Sequence, residues 1–177
     1  VGHVVDRAVV HLVLVRGGGD QRRLDVAALP VADRHRLVLV GRRAADAAGA
    51  DAVIFSDNSV DVYNPKVVRS TTGSIFHLPV VIGADIATTI ESLKSAGIQV
   101  FAANGGGAEL PTLSKDKLAK PTAWVMGNEA WGFESETLEL VDLEVAVPIY
   151  GAAESLNLAT AASICLYASA FAQNAAD

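Results

Sequence analysis

The sequence is poor in the residues that build disulfide frameworks and metal sites. Its 177 residues include one cysteine, Cys165, and four scattered histidines. A single cysteine excludes a disulfide framework within the chain, and no Cys or His pair has the spacing of a zinc site. We therefore expect no bound metal. We also expect a cytoplasmic location, because small extracellular domains usually carry disulfides.

Loops that bind nucleotide phosphates are also missing. The triplet Gly105–Gly107 matches neither a GxGxxG stretch that opens a helix nor a P-loop with its Gly-Lys-Ser/Thr ending. The glycines of "GNEAWG" and "YGAAES" have no neighbouring lysine. Hydride transfer and phosphoryl transfer therefore have no support. The triplet is either a flexible turn or a phosphate-binding loop, and the turn is favoured.

Lysine is scarce, and charges are unevenly distributed. Residues 1–43 hold eight Arg, no Lys and four Asp, a net charge of +4, whereas residues 44–177 carry a net charge of −10. This acidic bulk disfavours nonspecific binding to nucleic acids, which needs Lys and Arg to neutralise phosphates. Any RNA-binding site must therefore be local.

One long run, from Ser155 to Ala172, has no charged residue at all. It contains three Ser, one Thr, one Asn and six Ala, which is too polar for a typical membrane span of roughly 20 apolar residues. A buried helix or a helix at a subunit interface is favoured over a membrane span. No signal peptide is visible either, since the apolar N-terminal stretch carries charges inside it. We expect no membrane association.

Short apolar runs alternate with helical patterns from about Leu37 onward. The runs "RLVLVG", "DAVIFSD", "LPVVIG", "IQVFAAN", "TAWVMG" and "LEVAVPI" predict buried, largely parallel strands. "ADIATTIESLKSAG" predicts a helix between Asp85 and Gly97, and "ESETLELVD" predicts a shorter acidic helix. The expected fold is α/β, with a mostly parallel sheet and helices on both faces. Upstream, only a strand or helix around "AVVHLVLV" is expected.

Three of these strands are followed by segments rich in glycine and polar residues. They are "NGGG", "GNEAWGFE" and "YGAAESLN". Ligands of open parallel sheets bind at the carboxyl ends of the strands, so the three segments predict one composite site. Glu129, in the second segment, could bind a ligand or could accept backbone N–H groups at a helix start.

The segment "NPKVVRSTTGSIF", Asn64 to Phe76, is a candidate for contact with RNA. Lys66 and Arg69 supply positive charge and Ser70 a hydroxyl, the groups that position phosphates. A capped helix start, with Asn64 as N-cap followed by proline, explains the same residues. The two interpretations are compatible.

Three segments together resemble the SpoU-type RNA 2'-O-ribose methyltransferases, also called the TrmH family, of the SPOUT class. They are "RAADAAG" from Arg43 to Gly49, continuing into "NPKVVRSTTGSIF", then "MGNEAWGFE", and finally "VPIYGAAESLN". The segments occur in order and at the family's spacing, from about Arg43 to Phe171. Three ordered motifs make the resemblance highly specific.

The resemblance implies a SPOUT fold with a deep C-terminal trefoil knot, S-adenosyl-L-methionine (AdoMet) as cofactor, and a homodimer formed through the C-terminal helix. It implies methylation of RNA at the ribose 2'-hydroxyl, with ribosomal RNA preferred to transfer RNA. The expected cofactor contacts are Ala103, Gly127, Val147, Ile149 and Leu156.

The resemblance also implies four catalytic residues, namely Arg43, Glu129, Ser155 and Asn157. Arginine is a poor base, since its pKa exceeds about 12, so we expect Arg43 to stabilise the developing alkoxide and to grip the neighbouring phosphate. Ser155 is also expected to be the N-cap of the last helix.

The sequence departs from the family pattern upstream of Arg43. Leu37 stands where the family carries an Asn. We expect residues 1–36 to be an atypical segment, a remnant or non-native sequence such as a displaced reading frame would give, and residues 37–177 to be the catalytic domain. The departure keeps open an alternative, a cofactor-binding protein that docks RNA without methylating it. A small-molecule-binding α/β domain unrelated to RNA is the third alternative.

Overall fold

The computed structural model describes residues 11–15, 42–56, 77–127 and 132–175, and for 11–15 and Arg42 it describes the backbone only. The predicted strand "RLVLVG" and the segment Asn64–Phe76 lie outside these residues. The boundary predicted near residue 36 also falls outside them and stays a prediction.

Six strands form one sheet in the order β3-β2-β1-β5-β4-β6. They are β1 (His11–Val15), β2 (Ala50–Ser56), β3 (Val80–Ala84), β4 (Gln99–Glu109), β5 (Thr122–Met126) and β6 (Leu143–Ala146). The β2–β3, β4–β5 and β4–β6 pairs are parallel, whereas β1 is antiparallel to both of its neighbours. Within the described part of the chain the sheet is therefore mixed, with parallel pairs in the majority.

The described residues form five helices, four of them between strands and the last after β6. They are α1 (Arg42–Ala47), α2 (Ile86–Ser95), α3 (Lys115–Leu118), α4 (Ser135–Leu140) and α5 (Leu158–Asn174). A single 3₁₀ turn, Leu110–Thr112, precedes α3. The sequence predictions of strands β2 to β6, and of helices α2 and α4, are confirmed by these bounds. Within the stretch "AVVHLVLV", the described residues His11–Val15 form a strand.

Helix α2 shows how local sequence sets its ends. The Asp85 carboxylate accepts hydrogen bonds from the backbone N–H of Thr88 at 2.9 Å and from its hydroxyl at 2.6 Å. These bonds, the hydroxyl one first, lower the pKa of the Asp85 carboxyl below its ordinary value. Gly97 follows the C-cap residue with φ of 78°, a conformation that glycine adopts without strain.

The sheet is covered on both faces, as predicted. One apolar core joins Phe101, Trp124 and Val145 to residues of α1 and α5. The other joins Val100, Ala123 and Val125 to residues of α2. Neighbouring residues of one strand belong to opposite cores, since side chains alternate across a strand, and this explains the continuously apolar runs in the sequence.

The last helix begins later than predicted. Asn157 caps α5, with its side-chain oxygen accepting from the Ala159 N–H at 2.9 Å, so the expectation that Ser155 is the N-cap is wrong. Both residue types are good N-caps, but the chain is still non-helical at Ser155, where it lines a cavity. Among the described residues, no helix has the length and apolar character that crossing a membrane requires.

Candidate functional site

A cavity of about 420 Å³ opens at the carboxyl ends of β4, β5 and β6. We call it the main cavity. Its lining includes seven residues that the sequence singled out, which are Ala103, Gly127, Val147, Ile149, Ser155, Leu156 and Asn157. Asn104 and Gly105 of "NGGG" also line it, so residues of all three predicted segments meet at one cavity, as expected of a composite site.

The first wall of the main cavity is a bulge in β4. Ala103 and Ala108 both pair with Val145 of β6, so the four residues between them protrude from the ladder. The Asn104 amide donates a hydrogen bond of 2.7 Å to the Glu144 carboxylate. The "NGGG" segment is therefore a bulge within β4, with residues paired to β6 on both sides of it, instead of a turn that ends the strand.

Glycine is required at the end of this bulge. A Cβ atom at Gly107 would lie 2.3 Å from the carbonyl carbon of Glu144 and 2.5 Å from the Val145 nitrogen. Both contacts are with backbone, which cannot rotate away. The close approach of β4 to β6, and with it the shape of this wall, depends on the missing side chain.

The second wall follows β5. A Cβ atom at Gly127 would lie 2.7 Å from the carbonyl oxygen of Gly132, so the two ends of the "GNEAWG" segment touch. Gly132 has φ of 69°, in the left-handed region. Both glycines and the neighbouring Phe133 line the cavity. Glu129 lies between the glycines, outside the described residues.

The third wall is the irregular segment from Val147 to Asn157 that leads into α5. Ser155 and Asn157 line the cavity, and both are exposed. Asn157 has a second role, since its side-chain oxygen caps α5. The residue thus fixes the start of the helix at the cavity edge.

The charge of the main cavity restricts what it can bind. Of the described lining residues only Glu154 is ionisable, and none is Lys, Arg or His. An anionic phosphate would therefore lack a cationic partner there. The mixture of backbone, apolar and neutral polar groups suits a ligand that is neutral or positively charged.

Comparison with known proteins identifies the family. The SpoU rRNA Methylase family profile matches residues 41–167, which is most of the chain. The chain belongs to the SpoU rRNA Methylase family.

Named relatives of this SpoU chain act on ribosomal RNA. The 23S rRNA (guanosine(2553)-2'-O)-methyltransferase RlmP of Bacillus subtilis (strain 168) is 41% identical over 126 residues, which are 71% of this chain and 49% of the relative. The 23S rRNA (uridine(2479)-2'-O)-methyltransferase of Streptomyces viridochromogenes is 36% identical over 129 residues, 71% of this chain and 45% of the relative. The chain thus spans about half the length of the curated relatives it matches.

The fold also matches solved SpoU structures. The SpoU methyltransferase AviRb of Streptomyces viridochromogenes, in complex with the cofactor AdoMet, superposes with a TM-score of 0.69 at 31% identity. The match covers 85% of this chain and 65% of AviRb. An rRNA methyltransferase from Sinorhizobium meliloti matches with a TM-score of 0.64 at 34% identity, over 72% of this chain and 48% of that one.

Arg43, the predicted catalytic arginine of this SpoU chain, does not line the main cavity. It lies exposed in the first turn of α1. Helix α1 packs near α5, where the Tyr167 hydroxyl donates to the Ala47 carbonyl at 3.2 Å. Four further predicted residues lie outside the described residues, namely Glu129, Lys66, Arg69 and Ser70.

The lining also contains Asn104, Phe133 and Glu154, which the sequence places in the segments "NGGG", "GNEAWGFE" and "YGAAESLN" but not among the individual site residues. Gly105 and Gly132 come from these segments too, and the strands and the helix beside them add Met126, Val145, Leu158 and Ala161. Their contribution depends on the bulge of β4 and on the irregular third wall, which only the folded chain shows.

Proposed function

We propose that this protein is an AdoMet-dependent RNA 2'-O-ribose methyltransferase that acts on ribosomal RNA. The observation that carries the proposal is the main cavity, in which residues of the second and third family motifs, "MGNEAWGFE" and "VPIYGAAESLN", meet. The names of its relatives support ribosomal RNA as the substrate class. An rRNA substrate agrees with the cytoplasmic location that the low cysteine content predicts.

The residues of the main cavity fit AdoMet. Ala103, Gly127, Val147, Ile149 and Leu156 would hold it, largely through apolar contact and backbone groups. When bound, AdoMet supplies a methyl group activated by a positively charged sulfur. The described lining residues include no cation that would repel this charge. The Glu154 carboxylate lines the same cavity and would attract it.

The remaining tasks fall to the side chains around the cavity. The attacking 2'-hydroxyl must be aligned with the methyl group, and it must lose its proton. Ser155 and Asn157 would orient this hydroxyl by hydrogen bonds, with Glu129 in support. Because a guanidinium is a poor base, Arg43 would stabilise the developing alkoxide and hold the adjacent phosphate instead of taking the proton.

We also propose a homodimer formed through α5. This helix carries no charge between Leu158 and Ala172, yet Ile164 is 38% exposed and Phe171 is 68% exposed. Apolar side chains this exposed on an uncharged helix are typical of a subunit interface. We further propose that the segment Val147–Asn157 follows a knotted path. The main cavity supports this proposal, because this segment lines it together with the segments of β4 and β5.

Methyl transfer from labelled AdoMet tests the function. Purified protein is incubated with tritiated AdoMet and ribosomal RNA from cells lacking the gene, and the modified nucleotide is then mapped. We expect incorporation at a 2'-oxygen, reduced about a hundredfold or more by Arg43→Ala. Lys120→Ala, an exposed cation at the opposite end of β5, is the matched control and should retain activity.

The same assay separates the alternative that Leu37 raises. AdoMet binding by calorimetry without incorporation into any RNA would identify an RNA-docking protein instead of an enzyme. Incorporation into a base instead of a ribose would refute the proposed chemistry.

A further inference from the structure

A second cavity of about 400 Å³ adjoins the main cavity. The two share a wall, since Gly105, Val147, Ile149 and Glu154 line both. A ligand in the second cavity would therefore lie directly beside a ligand in the main cavity. Of the predicted cofactor contacts, Val147 and Ile149 line the second cavity, and both also line the main one, so the second cavity has no assigned occupant of its own.

An aromatic side chain stands in the wall of the second cavity. Tyr150 is 89% exposed, although it belongs to the same segment as the cavity residues Pro148 and Ile149. The exposed ring of Tyr150 offers a flat apolar face. RNA-binding proteins use such faces to stack unpaired bases, whichever base is present.

The charge of the second cavity selects among parts of a nucleotide. Its described lining carries two carboxylates, Glu109 and Glu154, and no Lys, Arg or His. A phosphate would be repelled there, whereas a base edge with N–H donors would be attracted. Guanine presents adjacent N1–H and N2–H₂ donors to a carboxylate, but uracil presents one N–H between two carbonyl oxygens.

We propose that the second cavity receives the base of the nucleotide to be methylated, that Tyr150 stacks on this base, and that the carboxylates favour guanine. This proposal rests on the proposed function, because it requires the ribose of the same nucleotide to reach Ser155 and Asn157. Both residues follow Glu154 closely in the chain and line the main cavity. The names of the relatives include both guanosine and uridine targets, so they do not identify the base of the target nucleotide.

The four nucleosides are suitable probes, because they carry a base and a ribose but no phosphate. Their dissociation constants are measured by saturation-transfer NMR on the full chain saturated with S-adenosylhomocysteine. We expect guanosine to bind about tenfold more tightly than uridine, the difference that one bidentate base contact gives. Tyr150→Ala should weaken guanosine binding about tenfold, whereas Tyr150→Phe should retain it, since stacking needs only the ring.

The carboxylate is tested at Glu109, which lines the second cavity but not the main one. Glu109→Gln keeps the shape and removes the charge, so the preference for guanosine should fall below about threefold. Its dissociation constant for AdoMet should not change. Glu91→Gln, an exposed glutamate of α2 remote in sequence from both cavities, is the matched control and should keep the full preference.

Equal affinities for guanosine and uridine, or a preference unaffected by Glu109→Gln, would overturn the proposal. These outcomes are distinct from failure of the proposed function. If the protein prefers guanosine but transfers no methyl group to RNA, the result supports the base subsite and refutes the proposed methyltransferase activity. If the protein methylates ribosomal RNA but binds all four nucleosides equally, the result supports the methyltransferase activity and refutes the base subsite.

Discussion

Replacing Gly107 by alanine should push β6 away from β4. The new Cβ atom would lie 2.3 Å from the Glu144 carbonyl carbon, whereas carbon atoms in contact are separated by about 3.5 Å or more. The strands must therefore separate by about 1 Å at this point. In the sheet that the described residues form, β6 lies at the edge and β4 is its one partner, so no second described strand holds it in place.

The expected cost follows from overpacking against a rigid neighbour, about 1–3 kcal/mol. Gly105→Ala is the matched control, because a Cβ atom there meets nothing within 4 Å. Gly105 has no left-handed φ, so alanine should be tolerated and should gain up to about 1 kcal/mol by restricting the unfolded chain. The two variants should thus differ by about 1–4 kcal/mol in the free energy of unfolding, although each adds one methyl group.

Urea unfolding followed by circular dichroism measures this difference. Calorimetry then measures the dissociation constant for AdoMet. Gly107→Ala should bind AdoMet more weakly, because the lining residues Val145 and Val147 belong to the displaced strand and its continuation. Equal unfolding midpoints for the two variants would refute the reasoning, since they would mean that β4 and β6 separate at no cost. Unchanged AdoMet binding in a destabilised Gly107→Ala would show that the cavity does not depend on this pairing.

Four further predictions concern single contacts. Glu144→Ala should raise the KM for AdoMet with little change in kcat, since it removes the acceptor that holds Asn104, whereas Glu144→Gln should retain the KM. Asp85→Ala should destabilise the protein by about 1 kcal/mol in urea, and Asp85→Asn should cost less, since its amide oxygen still caps α2 and only the charge is lost. Folding lowers the pKa of Asp85, so its carboxylate contributes fully to the free energy of unfolding above the ordinary carboxyl pKa of 3.8. The contribution is lost as the pH falls through the lowered pKa of the folded state. Acid unfolding of Asp85→Asn, compared with that of the parent protein, measures this contribution. Burial raises the pKa of the Cys165 thiol to about 12, so Ellman's reagent at pH 8 should label it only after unfolding. Asn157→Asp should keep the cap of α5 and its stability but lose methyl transfer, whereas Asn157→Ala should lose both.

The strands could be predicted from sequence because their signal is local. In "TAWVM" every residue is buried, with Trp124 in one core and Ala123 and Val125 in the other. A continuous apolar run of this length is what a strand covered on both faces requires. The same holds for α2, whose N-cap and terminal glycine lie within its own sequence.

The bulge of β4 could not be predicted, because its signal is not local. Asn, Gly, Gly and Gly have low strand propensity, so the sequence favours a turn. The segment stays in the strand because Ala108 and Glu109 pair with residues of β6, far along the chain. The start of α5 was misplaced for a similar reason. Ser155 and Asn157 are both suitable caps, and the choice between them depends on how far the third wall must extend along the cavity.

The segment after β6 makes the two cavities interdependent. Val147, Ile149 and Glu154 line both of them, and β6 itself is held to the sheet by one described neighbour. A ligand that fixes this segment in one cavity also fixes a wall of the other, so part of the ordering cost of the second ligand is already met. Such coupling is reciprocal, and AdoMet should strengthen guanosine binding by the same factor by which guanosine strengthens AdoMet binding. The arrangement favours assembly of methyl donor and target nucleotide together over retention of either one alone.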